Sequence, residues 1–237
     1  MIVIFNKKKV LALAFILLLI GVGFNLRDFS VKSFNSINEP FYKGNKENSN
    51  YVAITCNVDW GNECIDEMLK ILNEENIKIT FMVTGRWAEK YPEILLKIKK
   101  EGHEIGNHGY KHIDYSKLNY NLNYREIKKS KKIIETIIKE KTVFFEPPSG
   151  YYNKDTVKAA QDLNYIPIKW SIDTIDWKYK ENPNEIIKRV KSKKIEDGSI
   201  ILIHPTKGSV ESLKAIINIV RENGYEVGKL SNIFKVE

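Results

Sequence analysis

From Tyr51 to the C-terminus, short β-rich runs alternate with amphipathic helical patterns, and this alternation constrains the fold more than any other feature. The strand candidates are VAIT (52–55), KITFMV (78–83), HEIGN (103–107), TVFFE (142–146), IPIKWS (166–171), SIILIH (199–204) and YEVGKL (225–230). Helical periodicity lies between them, near 65–75, 91–101, 123–138, 154–163, 184–194 and 210–222. Pro92 and Pro183 suit the first turns of their helices, and Gly102 suits the position just past a helix end. Seven strands alternating with six helices imply a largely parallel sheet, either open and doubly wound or closed as a barrel. The polar residues favour a barrel, because they collect at strand C-terminal ends, where barrel chemistry sits. Asp59 follows the first strand, His108 the third, Pro147 to Gly150 the fourth, Asp173 and Asp176 the fifth, and His204 ends the sixth. No GxGxxG or P-loop follows the first strand, which counts against nucleotide binding.

The first 26 residues read differently. Lys7, Lys8 and Lys9 precede the uncharged segment Val10 to Phe24, a positive region followed by an apolar one. An uncleaved signal anchor is expected over 1–26, since Gly21-Val22-Gly23 is a poor cleavage site; a cleaved signal peptide also fits the pattern. The lysines then face the cytoplasm and the rest of the chain lies outside the cell membrane. Residues 27–49 are polar and irregular and read as a linker, leaving 50–237 as the folded domain. The net charge is +8, of which three charges are the N-terminal lysines, so the remainder carries 8 − 3 = +5. That mild excess suits an acidic glycan surface, and no basic patch interleaved with aromatics marks a nucleic-acid partner. Cys56 and Cys64 read as two ordinary core cysteines.

The chain has four histidines, and two of them, His108 and His112, stand four residues apart in GNHGYKH. That spacing lets one helical turn or tight loop present both imidazoles to a single metal ion, and Asp59 can reach the same rim as a third ligand. An Asp/His/His set suits zinc, cobalt, nickel or iron. HExxH is absent, because Gly109 follows the first histidine. His103, at the start of its strand, reads as structural.

The stretch from Tyr51 onward resembles the polysaccharide deacetylase family, the NodB-homology carbohydrate esterases. VAITCNVDWG (52–61) is similar to the family's first motif, TFMVTG (80–85) to its second strand, and GHEIGNHGYKH (102–112) to its metal-binding motif. FEPPSG (145–150), WSIDTIDW (170–177) and LIH (202–204) resemble the later motifs in the same order. The resemblance implies a distorted (β/α)₇ barrel, which would follow the N-terminal membrane-anchor helix read from residues 1–26. It also implies a metal-dependent hydrolase that removes N-acetyl groups from a peptidoglycan or chitin-like glycan; a monomer is expected. Asp59, His108 and His112 would hold the metal, probed first as Zn²⁺, and His204 would protonate the departing amine. Trp60, Pro148, Tyr151 and Trp177 are candidates for lining a sugar groove.

Two positions depart from the family's pattern. Asn57 stands where the catalytic-base aspartate is usual, and an amide accepts no proton usefully near neutral pH. Glu146 stands where an arginine normally orients that base. Asp173, Asp176 and Glu146 are candidates for a relocated base. The simpler reading makes the two aspartates supports of His204 or of the loop, and Glu146 a solvated or hydrogen-bonded rim residue. A non-catalytic relative that binds glycan without turnover is the alternative from a different class. An amidase or peptidase on the same barrel is a third.

Overall fold

The computed structural model describes residues 37–236 apart from Lys180. The anchor expected at 1–26 lies outside the described residues. Among those described, no helix is long and apolar enough to cross a membrane.

The strands are β1 (Tyr51–Val58), β2 (Thr80–Val83), β3 (Glu104–Asn107), β4 (Phe144–Phe145), β5 (Ile166–Pro167), β6 (Ile172–Asp173), β7 (Ile200–Ile203) and β8 (Glu226–Gly228). The helices are α1 (Asn62–Glu74), α2 (Gly85–Lys90), α3 (Pro92–Lys100), α4 (Tyr120–Ile138), α5 (Lys154–Asp162), α6 (Asp176–Tyr179), α7 (Pro183–Lys191), α8 (Lys207–Glu222) and α9 (Leu230–Ile233). All strand pairs are parallel, in the order β5-β4-β3-β2-β1-β7-β6, with β8 also on β1. β1 is central, and all its residues except Tyr51 are buried. Its unbroken run YVAITCNV is what a strand covered on both faces requires.

Helices cover this sheet because their apolar positions recur at helical spacing. In α1 the buried residues are Ile65, Met68, Leu69 and Leu72, and in α8 they include Val210, Leu213, Ile217 and Val220. Each such side chain contributes about 1.5–3 kcal/mol on burial, so truncating Leu213 to Ala costs about 2–5 kcal/mol. Thr206 fixes where α8 begins, its hydroxyl accepting from the Ser209 amide at 3.0 Å. Pro92 and Pro183 open α3 and α7 as expected, and Gly102 takes φ +86° beyond α3.

The described sheet is a curled, parallel half-barrel rather than a closed ring, and its architecture is consistent with the distorted (β/α)₇ barrel. The expected single strand at 166–171 is instead two short strands, β5 and β6. They form the two ends of the sheet and are separated by residues 168–171. The Ile168 amide still bonds Phe145, but Lys169 donates its amide to the carbonyl of Phe41 at 2.8 Å. Phe41 in turn donates to Pro167 (2.9 Å), Gly44 to Gly198 (2.8 Å) and Lys46 to Ile233 (3.0 Å). Part of the stretch read as a linker is therefore a strap bound across the sheet margins, with Phe41 packed edge-on against Phe234 at 5.6 Å. The polar composition that suggested a spacer reflects backbone pairing at the surface.

Candidate functional site

The C-terminal ends of the strands deliver the chemistry-bearing side chains to one face. Asp59 and Trp60 follow β1, Thr84 and Arg86 follow β2, His108 follows β3, Glu146 follows β4, Asp173 ends β6 and His204 follows β7. Two glycines shape this rim. A Cβ on Gly61 (φ +81°) would meet the carbonyl of Pro205 at 2.1 Å, so only glycine lets the β1 exit turn against the loop after His204. A Cβ on Gly109 (φ +75°) would meet the Tyr115 hydroxyl at 2.1 Å, so the two histidines are separated by a tight turn rather than a helical one.

His204 is the best-held group. Its Nδ1 bonds Asp176 Oδ1 at 2.7 Å, and its backbone amide donates to Asp176 Oδ2 at 2.5 Å. Ser209 Oγ donates to the same Oδ2 at 2.5 Å, and Asp176 is fully buried. Trp60 stacks on the imidazole with centroids 6.0 Å apart and planes 5° from parallel. The bond to Asp176 fixes the Nδ1–H tautomer and leaves Nε2 as the ring nitrogen for proton exchange. The turn that leads into Asp176 is held by several hydrogen bonds. Ile175, a β-branched residue, sits at φ +55°, a conformation that needs outside support. That support comes from its own amide on Asp173 Oδ1 (2.8 Å), Thr174 Oγ1 on the carbonyl of Leu202 (2.8 Å) and Arg189 Nε on the carbonyl of Asp173 (2.8 Å).

The opposite side is built from a different pair. Asn57 Nδ2 donates to Glu146 Oε1 at 2.5 Å, with Asn57 and Glu146 both buried. Burial pushes the Glu146 carboxyl up to about 8, against the lowering effect of the Asn57 hydrogen bond. Asn57 Oδ1 and Glu146 Oε2 have no partner among the described residues. Of the two rim readings, Glu146 takes the hydrogen-bonded one, buried against Asn57 rather than solvated.

His108 Nδ1 bonds the carbonyl of Glu146 at 2.8 Å, which places the proton on Nδ1 and the lone pair on Nε2. That Nε2 is buried and unpartnered among the described residues. His112 lies alongside, with ring centroids 5.5 Å apart. Burial holds both imidazoles below their ordinary pKa, His108 the more strongly. The histidines have the form a metal ligand requires, but Asp59 does not stand open beside them. Arg86 Nε donates to Asp59 Oδ1 at 2.7 Å, Arg86 Nη2 donates to Oδ2, and Thr84 Oγ1 donates to Oδ1 at 2.6 Å. Among the described residues, no three of His, Cys, Asp and Glu are grouped to hold a metal ion. As arranged, these residues do not fit the three-ligand centre that the resemblance implies.

A cleft of about 380 Å³ brings together Asn57, Trp60, His112, Tyr151, Asp173, Trp177 and His204. Tyr151 is 56% exposed and Trp177 50%, as sugar-stacking faces must be. Two of the candidate residues lie away from the cleft surface. Pro148 is buried, and Ser149 lines the wall in its place, at φ +54°. Asp176 is fully buried against His204 and is not in the lining of this cleft, the arrangement expected of a support for that histidine. Trp170 also lines the cleft and was not singled out; its place in WSIDTIDW was the available signal. Asp59 opens instead onto a neighbouring cleft of about 450 Å³, with Arg86 and Lys90, and Trp60 stands between the two. No sequence pattern pointed to Arg86. Outside the site, His103 is buried as expected, accepting from the Ile79 amide at 3.1 Å, and both cysteines are unpaired.

The family model "Polysaccharide deacetylase" matches residues 44–168, and the chain belongs to that family. It is 40% identical over 195 residues to the uncharacterized protein YlxY of Bacillus subtilis, covering 82% of this chain and 60% of that one. It is 33% identical over 189 residues to a peptidoglycan-N-acetylglucosamine deacetylase of Bacillus cereus, covering 78% and 68%. Among solved structures it is similar to BA3943 of Bacillus anthracis, a CE4 family pseudoenzyme. The TM-score is 0.79 and the identity 34%, with 84% of this chain and 71% of that one covered. A mutant of BA3943 with restored enzymatic activity aligns at TM-score 0.78 and 33% identity, covering 84% and 74%. This chain therefore spans about 60% of the length of the first of these relatives.

Proposed function

We propose that this chain engages N-acetylated peptidoglycan strands through the Trp60, Tyr151 and Trp177 cleft, and that its deacetylation chemistry is silenced on the base side. The observation that carries this reading is the buried Asn57–Glu146 pair. It occupies the positions where the family's pattern has an aspartate base and an orienting arginine. An amide cannot take a proton from water, and its carboxyl neighbour is held largely protonated by burial. The likeness to a pseudoenzyme and to a peptidoglycan deacetylase supports both halves of the proposal. Residues 1–26 would tether the chain to the membrane, with the cleft facing the wall.

A second reading is a slow deacetylase, favoured by the intact Asp176–His204 pair. His204 would protonate the leaving amine, and Asp173, which lines the same cleft, would take the proton from water.

The deciding experiment measures acetate release from N-acetylglucosamine oligomers and from peptidoglycan, alongside glycan binding, for the full chain and for Asn57→Asp. Binding without release by the natural chain supports the first reading. Release that disappears in Asp173→Asn supports the second. Absence of both binding and release sinks both.

A further inference from the structure

Arg86 has no role in the reading above, yet its guanidinium sits on the carboxylate that the family resemblance makes a metal ligand. Both Asp59 oxygens accept from it, and Thr84 adds a third donor to Oδ1. The arrangement is held from two adjacent strand ends. Asp59 follows β1, Thr84 follows the paired β2 and caps α2, and Arg86 lies in the first turn of α2. The Asp59 side chain is 8% exposed and that of Arg86 is 50% exposed. A planar fork on a sheltered carboxylate satisfies its charge and its in-plane lone pairs together. The histidine half of the centre keeps a buried, unpartnered Nε2 on His108. One half thus remains suited to a cation while the other is already occupied by one.

We propose that Arg86 is a built-in competitor for the divalent cation: a metal ion can join Asp59 to His108 and His112 only by displacing the guanidinium. Because Arg86 is half exposed, it has solvent to move into, so the result is weakened binding rather than exclusion. The expected weakening is roughly 10- to 100-fold, the size that charge-assisted hydrogen bonds to a sheltered carboxylate carry. The inference goes beyond the silenced base, since a chain repaired at Asn57 still carries Arg86.

The test is a zinc titration of the full chain against a chromophoric chelator, comparing wild type, Arg86→Gln and Arg86→Lys. Asp59→Asn and His108→Ala would each be added to Arg86→Gln. Arg86→Gln should bind zinc roughly 10- to 100-fold more tightly than wild type. Arg86→Lys, which keeps the charge without the fork, should fall between them, and it carries the test if the glutamine chain does not fold. Either second substitution should return the affinity to the wild-type level or below. Equal affinities for wild type and both Arg86 variants would overturn the proposal. So would tighter binding that survives Asp59→Asn.

Discussion

The two walls of the cleft are made from the same kind of strand end, but they have been treated differently. On one wall, Asp176, Ser209 and the Ile175 turn hold His204 in one tautomer and one orientation. On the other, Asn57 donates to Glu146, and beyond it, on the neighbouring cleft, Arg86 donates to Asp59. The first wall spends strain and buried hydrogen bonds on presenting a group to the cleft. The second uses its polar groups internally and presents little. A held proton donor over an aromatic cleft, facing an amide where the family's pattern has a base, is the contrast on which the proposed recognition without turnover rests.

The largest expected effect comes from repairing the second wall. Asn57→Asp alone places a second carboxyl against Glu146, and two buried carboxyls at that distance share a proton. The double change Asn57→Asp, Glu146→Arg supplies both the base and its orienting cation. It should exceed the single change in acetate release by roughly 10²- to 10⁴-fold, the usual contribution of a positioned base. Equal rates for the two variants would show that Glu146 does not restrain residue 57. Breaking the first wall comes next. Asp176→Ala removes the partner of His204 Nδ1, the His204 amide and Ser209. It should cost about 3 kcal/mol and lower the melting midpoint by roughly 6–12 °C, as read by calorimetry.

A titration at the other end of the barrel provides a reference for both walls. Burial first, then the charges of Lys78 and Lys229, push His103 down to about 4. Its folded value lies below its unfolded one, so the unfolded chain binds more protons in between. Stability is therefore full above the unfolded pKa and falls as pH drops from about 6.5 towards 4, by roughly 3 kcal/mol at most. Urea melts at pH 7 and pH 4.5 should show this fall in wild type and a smaller one in His103→Gln, which keeps an acceptor for the Ile79 amide. The smallest effect is expected at the cleft mouth. Trp177→Ala should weaken binding of an N-acetylglucosamine oligomer by about 1 kcal/mol, roughly fivefold by titration calorimetry, without changing the melting midpoint.

The alternation of strands and helices was legible because periodicity is a local property, and so was the gathering of His108, His112 and His204 at strand ends. What escaped was set by partners distant in sequence. IPIKWS alternates as a strand does, but Lys169 pairs with Phe41 rather than with a sheet neighbour. Glu146 was expected at the rim because charged residues are seldom buried. Its partner lies 89 residues away, and only the fold brings them within 2.5 Å. Arg86 sits in the first turn of a short helix, where an arginine is unremarkable, and its target is 27 residues upstream. The resemblance sets positions 57 and 146 side by side, but not the burial and direct hydrogen bond that join them.

The strap at residues 41–46 has a mechanical consequence. Four backbone hydrogen bonds hold it, to Pro167, Lys169, Gly198 and Ile233, whereas β1 is laced to β2, β7 and β8. Tension drawn through the N-terminal side of the domain therefore meets these four bonds before it reaches β1. The strap thus stands in series between the N-terminal side of the domain and the strand that carries Asn57 and leads into Asp59.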